Sequence, residues 1–182
     1  MKKHNLAFID LETTGLDPEK HEIIEIGCLI VEQIEENGER VFKVKEEFEI
    51  KVKPTRIEDA DPVALRINHY NEADWLFAAD LDKSLKALSE KISGSIMIGH
   101  NVTFDWNFLQ KAFAETGIEN TLHYHKLDTI SIAFAKLYNE IEVKRFSLKF
   151  LCEHFKIKNK KAHSALSDVK ATYELFIKLM EL

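Results

Sequence analysis

The sequence predicts an α/β fold with one mixed five-stranded sheet, three antiparallel strands followed by two parallel strands, flanked by helices. The first half contains three runs rich in apolar and β-branched residues, as antiparallel strands require. The second half alternates short apolar runs with helical periodicity, which implies parallel crossovers onto the same sheet. We find no linker, repeat or low-complexity tract, so a single domain over residues 1–182 is expected.

The strands are predicted from apolar runs bounded by turn residues. Leu6–Ile9 opens the first strand, and Asn37-Gly38 supplies the turn between the second and the third. A short apolar run after the second helix is typical of a buried parallel strand. The predicted strands are 6–9 with the acids that follow, 23–31, 41–52, 95–99 and 123–127.

The helices are predicted from apolar residues at helical spacing and from capping residues. Leu81, Leu85 and Leu88 follow this spacing, Gly117 ends a helix, and Asp128 caps another. The predicted helices are a short one near 63–65, followed by 81–92, 104–115, 128–138, 146–155 and 164–182.

Composition and charge narrow the functional classes. The 182 residues are 45% hydrophobic and 31% charged, as is ordinary for a globular protein, and no apolar run reaches the length of a membrane span. The net charge of −6 argues against charge-driven nucleic-acid binding, although bound metals and a local basic patch can reverse the local field. The two cysteines, Cys28 and Cys152, favour a reducing cytoplasmic setting over a disulfide framework.

Two acids at the end of the first strand are the first candidate functional residues. Asp10 and Glu12 leave the same face of the strand because side chains alternate with a period of two. Their mutual repulsion raises both pKa values unless a cation compensates, and Mg²⁺ or Mn²⁺ prefers such oxygen ligands. The alternative is a solvated strand end with two unrelated acids.

Three further residues could join this pair. Asp105 lies at the start of a helix after a buried strand, where it could also simply complement the helix dipole. Asp168 lies one turn inside the last helix, and His163 lies in the preceding loop, where a plain surface position is the alternative. Glu25 lies among apolar residues of the second strand, as an outer neighbour of a metal or as a hydrogen-bonded or sheet-edge residue.

The positions of these acids predict one metal site. Sites in open sheets form beyond the strand ends, where the four carboxylates can converge. Two divalent ions about 4 Å apart stabilise in-line displacement at phosphorus. A histidine side chain is suited to proton transfer near neutral pH, so His163 could take a proton from the attacking water.

The chain resembles the DEDDh 3′→5′ exonucleases, the family of the DNA polymerase III epsilon proofreading subunit and RNase T, which have a ribonuclease H-like fold. Three segments in chain order carry the resemblance: Phe8-Ile9-Asp10-Leu11-Glu12-Thr13-Thr14-Gly15-Leu16, Gly99-His100-Asn101-Val102-Thr103-Phe104-Asp105 and His163-Ser164-Ala165-Leu166-Ser167-Asp168. Asp128-Thr129 also matches a non-catalytic Asp-Thr pair of the family.

The resemblance implies roles for individual residues. Asp10 would bridge two Mg²⁺ or Mn²⁺ ions, Glu12 and Asp168 would complete the shell of the water-activating ion, Asp105 would hold the other, and His163 would be the general base. Substrate would be bound by Thr13, Leu16, Asn101 and Phe104. The product would be a nucleoside 5′-monophosphate.

The resemblance also implies a partner, single-stranded nucleic-acid 3′ ends, and we expect DNA rather than RNA. Two alternatives stay open: an accessory or proofreading subunit that docks a polymerase, and a nuclease specific for short oligonucleotides. The chain departs from the family at Ile67–Tyr70, which lacks the usual glycine, and Tyr70 or Trp75 could stack on a base or pack in the core. The basic run Lys156–Lys161 could contact phosphate or be a solvated loop.

Overall fold

The computed structural model describes residues 2–159 and 163–182. The strands are β1 (Leu6–Thr13), β2 (Ile23–Glu36), β3 (Glu39–Lys51), β4 (Ile96–Gly99) and β5 (Lys126–Asp128). The helices are α1 (Pro62–Ile67), α2 (Leu81–Ile92), α3 (Val102–Thr116), α4 (Thr129–Lys136), α5 (Leu148–Phe155) and α6 (Ala165–Glu181). None of these helices is long and apolar enough to cross a membrane, as judged over the described residues.

The strands form one five-stranded sheet in the order β3-β2-β1-β4-β5. The pairs β1–β2 and β2–β3 are antiparallel, whereas β4 pairs in parallel with both β1 and β5. The prediction of three antiparallel strands followed by two parallel ones is confirmed. The arrangement places the ends of β1, β4 and β5 at the same edge of the sheet.

Helices cover both faces of the sheet, and β1 shows how its residues are divided between them. Ile9 and its alternate neighbours pack against α2 and α3, while Phe8 packs with Val169 and Phe176 of α6. Because strand side chains alternate, Asp10 and Glu12 continue the row that begins with Leu6 and Phe8. Both acids therefore leave β1 on the side of α6.

Several element boundaries differ from the predicted ones. β2 continues to Glu36, five residues beyond the predicted end, because its pairing with β3 runs on to the turn. The starts of three other elements also differ. The strand predicted at 123–127 begins only at Lys126, since the His125 N–H donates to the ring of His123 instead of to a neighbouring strand. α3 begins at Val102, two residues early, because the Asp128 carboxylate accepts the N–H groups that precede the first helical turn. α5 begins late, after its capping residue Ser147.

Candidate active site

The first two acids lie where β1 meets the open edge of the sheet. Glu12 is buried and faces Glu25 across the β1–β2 pair, and Asp10 is partly exposed. The register shifts just after Glu12, which turns the chain out of the sheet at Thr13. Within the described part of the chain, neither carboxylate accepts a hydrogen bond or pairs with a cation.

Asp105 reaches this edge from the first turn of α3. Its side chain is buried, and its Oδ1 accepts the Leu11 N–H at 2.9 Å, which ties α3 directly to β1 between the two acids. The start of α3 is itself fixed by Asp128. This carboxylate accepts the N–H groups of Asn101 at 3.2 Å and of Val102 at 3.1 Å, together with that of Ile130 at 2.9 Å.

The start of α6 is docked on the opposite side by two glutamates from neighbouring strands. Glu25 of β2 accepts the Ala165 N–H at 2.8 Å, and Glu49 of β3 accepts the Ser164 hydroxyl at 3.2 Å. Between them, Gly27 leaves the room that α6 needs, since a Cβ there would lie 2.3 Å from the Ala165 carbonyl carbon. These contacts replace a side-chain cap on α6 and hold Asp168, which lies in its first turn.

His163 lies directly before α6 in the left-handed backbone region, at φ 65°. Its N–H donates to Asp168 Oδ2 at 3.0 Å, and the Asn159 amide donates to the other Asp168 oxygen. One potential ligand atom each from Glu12, His163 and Asp168 lies within 4.8 Å of the others, so these three residues could hold a metal ion. Glu12 is separated from His163 and Asp168 by about 150 residues of chain and meets them only through the fold.

The electrostatics of the site are those of uncompensated acids. Burial, followed by repulsion from Asp105, Glu12 and Asp168, raises the pKa of Asp10 well above its ordinary value. Burial and the neighbouring carboxylates raise the pKa of Glu12 to about 8. Burial also raises the pKa of Asp105 to about 8, although the Leu11 N–H favours its charged form. Each acid is thus close enough to the others to make the ionised cluster unfavourable without a cation.

The donor set fits a hard divalent cation. Oxygen ligands in a partly dry setting, with no internal ammonium or guanidinium among the described residues to neutralise them, are the environment that Mg²⁺ and Mn²⁺ prefer. A bound ion would favour the charged form of each acid and lower its pKa.

The four residues predicted to bind substrate surround this cluster in different environments. Thr13 is buried, its hydroxyl donates to the Gly15 carbonyl at 2.7 Å, and its own carbonyl accepts the Asn68 amide at 2.8 Å. Leu16 is 79% exposed, which is unusual for a leucine and leaves its side chain available to a ligand. Asn101 is exposed with a left-handed backbone, and Phe104 is half-buried against Phe108.

The segment that lacks the family's glycine still forms the turn that a glycine would favour. His69 takes a left-handed backbone, φ 53°, and the Tyr70 N–H donates to the Leu65 carbonyl at 2.9 Å, which closes α1 in a Schellman motif. Trp75 packs in the core, where its indole N–H donates to the Ile24 carbonyl at 2.9 Å. The ring of Tyr70 packs against it, with the two ring centroids 5.0 Å apart. Of the basic run, Lys160 and Lys161 lie outside the described residues.

Sequence reasoning missed Asn68 and the partners of Glu25. Asn68 orients the Thr13 carbonyl across 55 positions, and no local pattern indicates such a contact. Glu25 was predicted to be hydrogen-bonded or at a sheet edge as one of its alternatives, and it lies inside the sheet with the Ala165 N–H as its donor. The available signal was Gly27, because a glycine inside an apolar strand marks a close approach by another backbone.

The fold and this cluster define a class, the ribonuclease H-like nucleases with carboxylates at the open sheet edge. The sequence profile of the family described as RNase_T, exonuclease, matches residues 7–176. The chain therefore belongs to this exonuclease family, a family of hydrolytic nucleases of the DEDD type, and the predicted resemblance is confirmed. Enzymes of this family are typically dependent on divalent metals.

Curated relatives are similar to the chain over nearly all of its length. A DNA polymerase III PolC-type protein of Caldanaerobacter subterraneus subsp. tengcongensis is 31% identical over 94% of this chain, and one of Thermotoga petrophila is 26% identical over 98%. The matched regions are only 11% and 12% of those relatives. The chain thus spans about a ninth of the length of the curated relatives it matches.

Solved structures support the fold. Escherichia coli exonuclease I in complex with a dT13 oligonucleotide has a TM-score of 0.75 and 18% identity, covering 97% of this chain and 40% of that one. Exonuclease I from Methylocaldum szegediense has a TM-score of 0.74 and 18% identity, with the same two coverages. At this identity the likeness concerns the fold alone, and it confirms the predicted mixed sheet flanked by helices.

Proposed function

We propose that this protein is a 3′→5′ exonuclease that hydrolyses the last phosphodiester bond of a single-stranded nucleic acid and releases nucleoside 5′-monophosphates. One observation carries the proposal. Acids from β1, α3 and α6 repel one another at a single sheet edge, beside a histidine, and two of them have no internal donor among the described residues. Membership of the exonuclease family supports the same reaction.

The proposed ligands are Asp10, Glu12, Asp105 and Asp168, which would hold two Mg²⁺ or Mn²⁺ ions. When bound, these ions would lower the pKa of the attacking water and neutralise charge on the phosphate and on the departing 3′ oxygen. Burial raises the pKa of Asp10, and repulsion from the other three acids raises it further, so Asp10 lies near all three and is the proposed ligand of both ions. One oxygen of Asp105 accepts the Leu11 N–H, and this hydrogen bond orients the carboxylate without a bound ion.

His163 is the proposed general base. It is exposed, it precedes α6, and its backbone is fixed by Asp168, so its ring can reach a water held beside Glu12 and Asp168. A neutral imidazole would take the proton from this water and later release it to solvent. Its ring nitrogen could instead be a metal ligand. A mutation would then remove metal affinity, whereas loss of a general base would lower the rate alone.

The substrate-binding residues are proposed in the positions described above. The Thr13 backbone, oriented by Asn68, would meet the terminal 3′-hydroxyl, and exposed Leu16 would pack beside the terminal base. Asn101 and Phe104 would line the nucleotide path next to Asp105. The whole domain, residues 1–182, is proposed to act as one exonuclease unit.

We propose DNA as the substrate rather than RNA, and a polymerase as a partner. The relatives named above are DNA polymerase III proteins, and the cited exonuclease I structure holds a dT13 oligonucleotide. An accessory unit that mainly docks a polymerase is the second candidate, favoured by the small fraction of those relatives that the chain matches. Two buried free cysteines fit a reducing, cytoplasmic compartment.

The test uses a 5′-labelled single strand with purified protein and Mg²⁺. We expect a ladder of shortened products that EDTA abolishes, faster on DNA than on RNA. Asp10→Ala removes the proposed bridging ligand and should abolish the ladder. Cleavage by Asp10→Ala at the wild-type rate would show that the site is assigned wrongly.

A second variant separates the two roles of the histidine. We expect His163→Ala to lose about 10²–10⁴-fold in rate while retaining Mn²⁺ affinity, because a general base is removed and the carboxylates remain. Isothermal titration with Mn²⁺ and single-turnover rates near pH 7 measure both quantities. Loss of Mn²⁺ affinity would make His163 a ligand, and an unchanged rate would remove it from the mechanism.

A further inference from the structure

A cavity of about 390 Å³ opens beside the acids, between α5 and the start of α6. His163, Asp168 and Asn159 line one side, and Lys149 and Glu153 of α5 line the other. Its floor is apolar, formed by Leu148, Cys152 and Ile157. The volume falls in the range of small-ligand sites, roughly 300–1,000 Å³, so it could take a nucleotide unit.

The segment that forms the α5 side of this cavity has a charge balance opposite to that of the whole chain. Residues 144–158 contain five lysine or arginine side chains and one carboxylate, in a protein of net charge −6. Lys144, Arg145 and Lys149 are all exposed, and we call these three residues the basic face. Such a local reversal of charge at a site opening is typical of anion binding.

The basic face is held next to the site by the backbone. The Phe146 carbonyl lies 2.9 Å from His100 Nε2, and the other ring nitrogen of His100 lies 2.9 Å from the Thr129 hydroxyl. His100 directly precedes Asn101, so Arg145 is joined to the segment that starts α3. Arg145 is thus one residue from a contact with His100, and Lys149 lines the cavity beside Asp168, so the basic face lies close to the acids.

The cations of the basic face also lack carboxylate partners. Within the described residues, none of the three forms an ion pair, whereas Arg56 pairs with Glu22, and Lys111 pairs with Glu19 and Glu115. Those two paired cations line a second pocket, on the side of α3. Unpaired cations beside a site that must accept a phosphodiester are free to contact phosphate oxygens.

We propose that the basic face binds the phosphates of a single strand on the 5′ side of the scissile bond, so that this protein prefers polymer strands to dinucleotides. The inference rests on the proposed exonuclease function and specifies its substrate class. A dinucleotide has one internucleotide phosphate, the one that is cleaved, so it offers no further phosphodiester to these cations, whereas a longer strand does. The short-oligonucleotide alternative predicts the reverse preference.

The experiment compares two triple variants that remove the same number of positive charges. K144Q/R145Q/K149Q alters the basic face, and K43Q/K45Q/K86Q removes three exposed, unpaired cations from β3 and α2, elsewhere on the surface. We measure kcat/KM on a single strand of about 20 nucleotides and on a dinucleotide. The ratio of the two should fall about tenfold or more in the first variant, mainly through KM on the strand, and stay at the wild-type value in the second.

Binding gives a readout that does not need catalysis. Anisotropy of a labelled strand, in an Asp10→Asn background for both triple variants, should show weaker binding only for the altered basic face. For the altered basic face, the slope of the logarithm of the association constant against the logarithm of the salt concentration should become less steep by about 2. Each of the three lost phosphate contacts on a single strand contributes about 0.7 to that slope.

Equal losses of strand binding in both triple variants would overturn the proposed role of the basic face. So would an unchanged ratio of kcat/KM on the strand to kcat/KM on the dinucleotide in the first variant. A wild-type protein that cleaves neither substrate but still binds the strand through the basic face would overturn the proposed function alone. Cleavage of both substrates with no role for the basic face would overturn the inference alone.

Discussion

Two sets of partly or fully buried carboxylates in this protein have opposite surroundings. Glu22 accepts N–H groups from Thr55 and Arg56, at 3.1 and 2.8 Å, and also the Thr55 hydroxyl at 2.6 Å. Asp10 and Glu12 lie on β1 and accept no hydrogen bond from any described residue. All three are carboxylates, but Glu22 has hydrogen-bond donors and a cation, Arg56, at 3.9 Å, whereas Asp10 and Glu12 have neither among the described residues.

The difference separates carboxylates that build the fold from carboxylates that await a ligand. A buried carboxylate with its donors in place stabilises the chain around it, as Glu22 fixes residues 55–56 and Asp128 fixes the start of α3. A buried carboxylate without donors lowers the free energy of unfolding, and such carboxylates cluster at functional sites. Burial alone would not have distinguished the two sets.

The largest expected effect comes from exchanging one member of each set for glutamine. Glu12→Gln should lower the rate by about 10³-fold or more, because losing a metal ligand removes several kcal/mol of transition-state stabilisation. The same change should stabilise the metal-free protein by on the order of 1 kcal/mol, or about 2–4 °C in Tm, because glutamine does not ionise and folding no longer has to protonate a carboxyl of raised pKa. Single-turnover assays and thermal unfolding in EDTA measure both.

Glu22→Gln is the matched control. It should destabilise the protein by about 1–2 kcal/mol, because an amide oxygen cannot accept all the donors of residues 55 and 56, and it should keep activity within severalfold. If both variants shifted Tm in the same direction, donor supply would not separate the two sets.

Glu25 tests the comparison from an intermediate position, because it is buried beside Glu12 and yet has a donor. Burial raises its pKa to about 7, against the lowering effect of the Ala165 N–H. Glu25→Leu leaves that N–H unpaired and should cost about 1–3 kcal/mol of stability, with a lower rate because α6 carries Asp168.

Glu25→Gln provides the rescue, since its carbonyl oxygen can still accept from Ala165. It should recover most of the stability and most of the Mn²⁺ affinity measured by titration. Wild-type Mn²⁺ affinity in Glu25→Leu would show that this contact does not position the site.

A further expected effect is a dependence of stability on pH in the metal-free protein. Glu12 and Asp105 have folded pKa values of about 8, above the value of about 4 in an unfolded chain. Between these values the folded state holds more protons than the unfolded state, so the free energy of unfolding falls as the pH rises. Tm in EDTA should therefore drop from about pH 5 to about pH 8.

Glu12→Gln should flatten this dependence, and saturating Mn²⁺ should stabilise the wild type more at pH 8 than at pH 5. A metal-free Tm that rises over the same interval would contradict the raised pKa values.

Local patterns in the sequence were sufficient for most of the fold. The strand at Ile96–Gly99 and the helix at Leu81–Ile92 follow from apolar runs and spacing, which depend on neighbours in the chain. The early start of α3 could not be predicted in this way, because the carboxylate that satisfies its N–H groups lies 26 positions further along. Spacing within a segment contains no information about a donor or acceptor from another one.

The candidate site divides along the same line. The alternation of β1 was enough to place Asp10 and Glu12 on one face, and positions at the starts of two helices indicated Asp105, His163 and Asp168. The family resemblance supplied the role of each residue. Which carboxylates would have donors could not be predicted, since the donors of Glu25 and the ligand-distance neighbours of Glu12 come from the far end of the chain.

The missing side chain of Gly27 has a consequence for how closely the two ends of this polypeptide can approach. α6 rests on bare backbone there, so one added methyl group would push its first turn outward and carry Asp168 away from Glu12. The distance between Glu12 and Asp168, where phosphodiester hydrolysis is proposed to occur, thus depends on the absence of a Cβ atom at Gly27.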